Sequence, residues 1–561
     1  MPFKETTYAF PIYIRGGNAM KESWKKVGLF LGLIVFVMIA VACSKNDSAS
    51  KEVEVATKGA MESYSAGDTF KATEPFDLSI LYMDQPTYPY KKDWLLWDKI
   101  KEITNVTLKP TIVPLSDYTQ KRSLLISSGE APIVIPKTYP GEEAAFVASG
   151  AALPVSDYMD KMPHFKEKIE KWDMGPELDT LRQNDGKFYV LPGLHEEVWP
   201  DYTLIVRTDI FEENNIAIPT TWDELYTAMK KLKEIYPDSI PFSDRFTFNS
   251  TLNIAATSFG TKAGWGFGNG LSYDQDADEF VYAATTNNYK EMLTYFHKLV
   301  EEGLLDEESF TQSDDQAVQK FVTGKSFIIN GNSQTINLHR VDMDKTLGKG
   351  KYSISKITVP GGPAGQLMSG SRLENGVMIT SKIKESENFE AILQFIDWLY
   401  YSDEGQEFTK WGVEGTTFTR EDGVRKLMED INYNGLNPNG TKDLRVDYGF
   451  SGGVFSYGGT TDLLHSMMSE EEIKFQNDMK AVKTPIPTDP LIPYSIEDRE
   501  KATLQSTPLK DYTNQNTLKF ILGTRDLSEF DAFVKELQSQ GLEQYVDTAN
   551  QTYQEYKKNN K

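Results

Sequence analysis

DLSILYM (Asp77–Met83), WLLWDKIKEI (Trp94–Ile103), VTLKPTI (Val106–Ile112), YTQKRSLLIS (Tyr118–Ser127) and APIVI (Ala131–Ile135) follow one another with short breaks. The first alternates into an apolar run bounded by Pro75 and Pro86, a strand signature, while the second spaces its apolar residues as a helix does. The pattern repeats, so the stretch predicts β-α-β-α-β. That order implies a parallel sheet with helices on its faces, an α/β fold, and puts a ligand beyond the carboxyl ends of the strands. Those ends carry Gln85, Tyr88 and Tyr90 in one loop and Tyr139 in another.

Farther along, Thr221 and Glu224 have capping-box spacing, and Leu225, Met229, Leu232 and Tyr236 give one apolar helix face. Ile392, Phe395, Ile396 and Leu399 repeat it, and the chain ends in two more stripes, Phe530 to Leu537 and Leu542 to Ala549. Stripes of this kind are core, and Trp94, Trp97, Trp222 and Trp398, which fall on helix patterns, are read the same way. No internal repeat is present at periods of 20 to 50 residues.

With 561 residues and 39% apolar content the chain can build several cores without staples. A formal charge of −23, with no basic cluster in the body, argues against nucleic acid as a partner. One Cys excludes an intrachain disulfide, and its position is informative.

Lys21, Lys25 and Lys26 precede an uncharged run from Val27 to Ala42, which ends at Cys43 and turns abruptly polar. This layout is a signal peptide; the run falls short of the roughly 20 residues a spanning helix needs. Ala40 and Ala42 before the lone Cys resemble the lipobox of bacterial lipoproteins, which implies a diacylglyceryl group with palmitate-type chains on the Cys43 thiol. Residues 1–19 place aromatics and Pro ahead of the basic region, and Arg15-Gly16-Gly17 can be encoded by a ribosome-binding sequence, so Met20 is the expected start. Removing residues 1–42 makes the chain more acidic. Residues 43–71, rich in Ser, Ala, Lys, Glu, Gly and Thr, are expected to form a flexible tether reaching about 30 Å.

Chemistry-bearing motifs are few. There is no H-E-x-x-H or Walker loop, and Gly264 to Gly270 is not placed as a dinucleotide fingerprint. Five scattered His residues give no metal spacing. No cofactor and no metal are expected.

RTDIFEENNIAIPTTWDELYTAMKKLKEI (Arg207–Ile235), TGKSFIINGNSQT (Thr323–Thr335), the run from Glu374 to Phe408, WGVEGTTF (Trp411–Phe418) and the segment Leu518–Tyr556 resemble, in order, extracellular solute-binding proteins (family 1) of carbohydrate ABC importers, in the large lipoprotein branch of Gram-positive bacteria. The resemblance covers most of residues 75–556. It implies two α/β lobes of the periplasmic-binding-protein-like (type II) fold, joined by a hinge and closing on a ligand in the cleft. By segment order, lobe one should hold 72–198 with 368–420, and lobe two 199–367 with 421–561. It further implies permease subunits as partners, a lipid-anchored position on the outer face of the membrane, and a monomer.

A sugar cleft needs aromatic rings for apolar C–H faces and planar polar groups for hydroxyls. SDRFTFN offers Arg245, Phe246 and Phe248 where maltose-binding members have a stacking aromatic, and GWGFGNG sets Trp265 among glycines, either at the cleft or in a flexible surface turn. Tyr139 follows a strand where the family has a cleft aromatic. In INGNSQT, Asn330 and Asn332 match a cleft loop that carries Trp in maltose binders; here that aromatic is absent. Arg372 and Glu374 are either a sugar clamp or a surface ion pair. Trp199 and Tyr202 mark the first crossing between lobes, and Tyr457 lies in a Gly-rich loop that can face the cleft. The calcium loop of some relatives is missing after the capped helix. Two rivals stay open: a secreted glycoside hydrolase, since two carboxyls about 5 to 9 Å apart can hide in any acidic chain, and a receptor for a non-sugar polar solute.

Overall fold

The computed structural model describes residues 55–559 except Asn184, and of Ile496 and Asn559 only the backbone. Cys43, the signal-like run, Met20 and the first part of the expected tether lie outside the described residues.

Five strands form the first sheet in the order β2-β1-β3-β11-β4: β1 (Phe76–Asp84), β2 (Val106–Pro114), β3 (Val134–Thr138), β4 (Val190–Leu194) and β11 (Leu373–Ile379). β1 pairs in parallel with β2 and β3, as the β-α-β-α-β reading requires, whereas β11 returns antiparallel to both β3 and β4. β2 is an edge strand, which tolerates Pro110 in its interior. A second sheet, β8-β5-β9, is built from β5 (Thr203–Val206), β8 (Ile328–Gly331) and β9 (Ser355–Lys356). The chain passes between the sheets at residues 195–202, and again at 370–372, where the His195 N–H donates to the Arg372 carbonyl at 2.9 Å.

Each sheet has its own core. Around the first, Trp94, Phe165, Ile392, Ile396, Trp398 and Leu399 are buried together with β1, β3, β4 and β11; the helix Phe389–Tyr401 is buried on every side. Around the second, Trp222, Leu225, Met229 and Leu232 of the capped helix Trp222–Ile235 pack with Phe530, Phe533 and Leu537 and with Leu542, Tyr545 and Ala549 of the closing helices. The Thr221 hydroxyl accepts from the Glu224 N–H, but the Glu224 carboxylate returns to the Thr220 N–H at 2.7 Å rather than to Thr221.

Two expectations about organisation are corrected. Residues 55–71 are not a tether. Phe70 is fully buried, edge-on to Phe395 at 6.2 Å; the Met61 N–H donates to Gln394 Oε1 at 2.9 Å, and the Tyr64 hydroxyl lies within hydrogen-bonding reach of Asp397 and the Gln394 carbonyl. Three large side chains in a Ser/Ala-rich segment suffice to dock it, because each finds a prepared site on the buried helix. Residues 431–457, expected in lobe two, belong to the first core: Ile431, Leu444, Phe450, Val454 and Phe455 are buried there. Trp94 Nε1 donates to the Val446 carbonyl at 2.9 Å, and Phe455 meets Trp97 at 5.7 Å.

Candidate ligand-binding cleft

Between the sheets lies a cavity of about 640 Å³. The crossing segment contributes His195, Trp199 and Asp201; the second lobe contributes Asn332, Arg340 and Lys356; the first contributes Glu374, Lys410 and Arg445.

β11 delivers Glu374 opposite Gly193 of β4, where a β-carbon on residue 193 would come within 2.9 Å of Tyr457 and 3.1 Å of Glu374. Only glycine lets the strands and the Tyr457 loop meet so closely. The Glu374 carboxylate lies 3.0 Å from His195 Nε2 and accepts from the Gly458 N–H at 2.9 Å. Burial alone would push this carboxyl up; His195, the Lys137 ammonium and the Gly458 N–H outweigh burial and hold it at about 2. Asp201 is opposite in character. Its carboxylate has one long hydrogen bond, from Asn332 Nδ2 at 3.4 Å, and burial pushes it up to about 6 against the pull of Lys356. Asn332 in turn caps the helix Ser333–Met343, its Oδ1 accepting from the Thr335 N–H at 3.0 Å.

An aromatic platform stands on the second lobe. Trp265, 48% exposed, has its ring 5.3 Å from Tyr202 and 5.0 Å from Phe246. Phe246, Thr247 and Phe248 are three successive non-glycine residues in the left-handed region, with φ of 56°, 48° and 67°. Such backbone costs on the order of 1 kcal/mol or more per residue and persists where the surroundings impose it. Here the Phe246 N–H is held by Asp314 Oδ1 at 2.8 Å, and the Arg245 guanidinium lies 4.2 Å from the centre of the Phe246 ring. The turn sends Phe246 to the platform and Phe248 inward. Tyr139 is 52% exposed on the first lobe, and burial and the nearby Glu374 push its hydroxyl pKa up.

The sequence-derived residues therefore divide. Trp199, Asn332 and Glu374 line the cavity; Tyr202, Phe246 and Trp265 form the aromatic platform, and Tyr139 stands exposed on the first lobe, off the cavity wall. Gln85 bridges Tyr88, whose hydroxyl accepts from the Gly453 N–H and whose ring carries the Arg445 guanidinium at 5.2 Å, so both lie beside the cavity rather than on its wall. Four assignments are corrected. Phe248 is fully buried against Phe242, Phe296 and Phe310. Asn330 is fully buried, accepting from Ser250 at 2.8 Å while its N–H donates to Asp244. Arg372 is committed to Glu177 Oε1 at 2.5 Å and to the Trp172 and Asp173 carbonyls, all in its own lobe. Tyr457 is buried, stacked on Tyr400, with its hydroxyl accepting from the Lys137 N–H. Arg245 sits beneath the platform, 8% exposed, as its support.

Sequence reading missed Asp201, Lys356, Lys410 and Arg445. Asp201 had a usable signal, lying between Trp199 and Tyr202 at the crossing; the others had none, being placed by contacts far along the chain. Among the described residues no group of three or more His, Cys, Asp or Glu is arranged to hold a metal ion.

The family model described as bacterial extracellular solute-binding protein matches residues 89–407. The chain belongs to this family. Two relatives match it over nearly their whole length. The polygalacturonan/rhamnogalacturonan-binding protein YtcQ of Bacillus subtilis is 24% identical over 86% of this chain and 91% of its own. The fructooligosaccharide ABC transporter substrate-binding protein FusA of Streptococcus pneumoniae is 23% identical over 94% of this chain and 97% of its own. The crystal structure of the alginate-binding protein AlgQ2 without calcium ion superposes with a TM-score of 0.67 at 20% identity, covering 87% of this chain and 99% of that one. The fold is thus the two-lobed type II architecture of solute-binding proteins, and the cavity lies between its lobes.

Proposed function

We propose that this protein captures an oligosaccharide between its lobes and delivers it, closed, to the permease subunits of an ABC importer. The observation that carries this reading is the Tyr202–Phe246–Trp265 platform with its half-exposed Trp265 ring, together with a cavity walled by polar side chains from both lobes. Rings take sugar C–H faces and polar groups take hydroxyls, the two demands a pyranose or furanose chain makes together. The names of YtcQ and FusA, both carbohydrate-binding, support the same class. Polygalacturonan and fructooligosaccharide differ in charge, so the subclass must be read from the cleft itself.

In this reading the first lobe comprises the core of residues 55–194 with 373–457, and the second that of 203–359 with 492–559. The protein is a monomeric lipoprotein, acylated at Cys43 after translation from Met20 and signal cleavage, and held on the outside of a Gram-positive membrane. It is a receptor and not an enzyme. The glycosidase alternative has one observation in its favour, two cleft carboxyls of which one is raised and one lowered. Against it, Glu374 is already engaged by His195 and the Gly458 N–H.

A thermal-shift and calorimetric panel of oligosaccharides, peptides and small polar solutes tests the reading. A ligand at 100 times its Kd stabilises the fold by about 2.7 kcal/mol. Stoichiometric binding of an oligosaccharide that is recovered intact is the expected result; product release would establish the hydrolase instead, and a shift only with peptides the non-sugar receptor.

A further inference from the structure

We propose that the cleft takes an uncharged oligosaccharide and discriminates against oligouronates, with the Asp201 carboxylate as the discriminating group. This rests on the reading of the chain as a carbohydrate receptor and names the class of sugar.

A cleft that recognises uronates must hold cations free to meet carboxylates, ideally as bidentate guanidinium pairs. Here most of the cations on the wall already have acceptors from the protein, although the buried Nε of Arg445 has no hydrogen-bond partner. Arg340 spans both oxygens of Glu471 at 2.7 and 2.9 Å, and Lys356 both oxygens of Glu472 at 2.8 and 3.0 Å. Lys410 is buried, its ammonium donating to the Tyr457 carbonyl at 3.1 Å. Arg445 lies between the Tyr88 and Tyr433 rings and donates to Asn434 Oδ1 at 3.2 Å. Arg372, the residue best placed by sequence to clamp an acid, gives its donors to its own lobe. Two cations lie away from these pairs. Lys137 stands near Glu374 and over the Tyr457 ring at 5.6 Å, with the negative charge of Glu374 acting on it. Arg245 lies beneath Phe246 with Asp314 at 3.8 Å and is 8% exposed.

The anions are not symmetrically satisfied. Asp201, on the wall between the lobes, accepts one long hydrogen bond at 3.4 Å, and a carboxylate can accept about four. It is acceptor-only, so its missing partners are donors. Sugar hydroxyls supply these, whereas a uronate brings a second carboxylate toward Asp201 and Glu374 in a partly desolvated space, where like charges repel most. The cleft therefore pairs most of its positive charge internally and leaves the Asp201 carboxylate for the ligand.

Calorimetric titration of the lipid-free protein tests this, with neutral fructo-, xylo-, manno- and gluco-oligosaccharides set against length-matched oligogalacturonates and oligoalginates at pH 7.5. At least one neutral series should bind tenfold or more tightly than any oligouronate. Asp201→Asn should weaken that neutral ligand about tenfold and narrow the preference, with cooperative thermal unfolding retained; Asp201→Glu should recover part of the affinity. An oligouronate that binds as tightly as the best neutral sugar overturns the inference and leaves the carbohydrate reading standing. Unchanged neutral-sugar affinity in folded Asp201→Asn also overturns it. Binding of no sugar of either class by a cooperatively folding protein overturns both.

Discussion

The Nδ2 of Asn337, on the helix Ser333–Met343 of the second lobe, donates to the carbonyl of Asn434 in the first lobe at 2.9 Å. A second bond across the cleft joins the Arg499 guanidinium, on the helix Ile496–Ile521, to Gln183 Oε1. The first of these bridges lies on the cavity wall and the second away from it. Closure draws its free energy from contacts between the lobes, and each bridge is such a contact. Asn337→Ala should remove about 1 kcal/mol of closing energy and weaken ligand affinity about fivefold. Small-angle scattering should show a larger radius of gyration without ligand, and an unchanged profile together with unchanged affinity would contradict this.

Trp265 and Phe248 separate binding from folding. Trp265→Ala removes a half-exposed ring of the platform; affinity should fall ten-fold or more while the urea midpoint hardly moves. Phe248→Ala empties a site enclosed by Phe242, Phe296 and Phe310 and should cost about 3–5 kcal/mol of stability.

Thr247 tests the left-handed turn. Its φ of 48° suits glycine, so Thr247→Gly should relieve strain, offset in part by greater freedom of the unfolded chain. Stability should change by no more than about 1 kcal/mol, whereas sugar affinity should drop several-fold because Phe246 is no longer held toward Trp265. Calorimetry on the free and liganded protein reads both.

Asp201 gives a pH dependence. Its folded pKa of about 6 lies above its unfolded value near 3.9, so its contribution to stability is full below about pH 4 and is lost as pH rises through 6. Asp201→Asn should therefore gain stability relative to the parent at pH 7.5 and lose that advantage at pH 4. Ligand behaviour has the other sign: a hydroxyl donating to the ionised carboxylate is favoured above pH 6, so affinity should fall between pH 7 and pH 5. Lys356, Glu472 and Glu374 are the charged groups that act on Asp201, and the Asn variant isolates its titration from theirs.

Phe70 tests the docked N-terminal segment. Phe70→Ala should destabilise the first lobe by about 3–5 kcal/mol and expose residues 55–71 to limited proteolysis. A wild-type unfolding curve would mean that the segment contributes nothing to the core.

Much of this was legible without coordinates. β1, β2 and β3, the capped helix beginning at Trp222 and the closing helices follow from periods of 2 and 3.6, which are local properties of the chain. The aromatics Tyr139, Tyr202, Phe246 and Trp265 could be singled out because loops following strands are where α/β folds bind ligands. Composition misled at residues 55–71, where averaging over small polar residues hid Met61, Tyr64 and Phe70. Segment order misled at 431–457, because a run that follows a lobe crossing in sequence can still find its apolar partners, Trp94 and Trp97, more than 300 residues back.

By itself the sequence determined the strands and helices, the family, and the supply of aromatic and polar side chains for a cleft. Tertiary structure alone decided which of those side chains remain free to bind. Arg372 looked available until Glu177, 195 residues away, was found against it, while Asp201, one acid among many, proved to lie in the cleft with a single long hydrogen bond. The reason is physical. A backbone pattern is set by neighbours a few residues apart, but the state of a charge is set by whatever the fold brings within about 4 Å, and in a chain that crosses its own hinge repeatedly those partners come from anywhere.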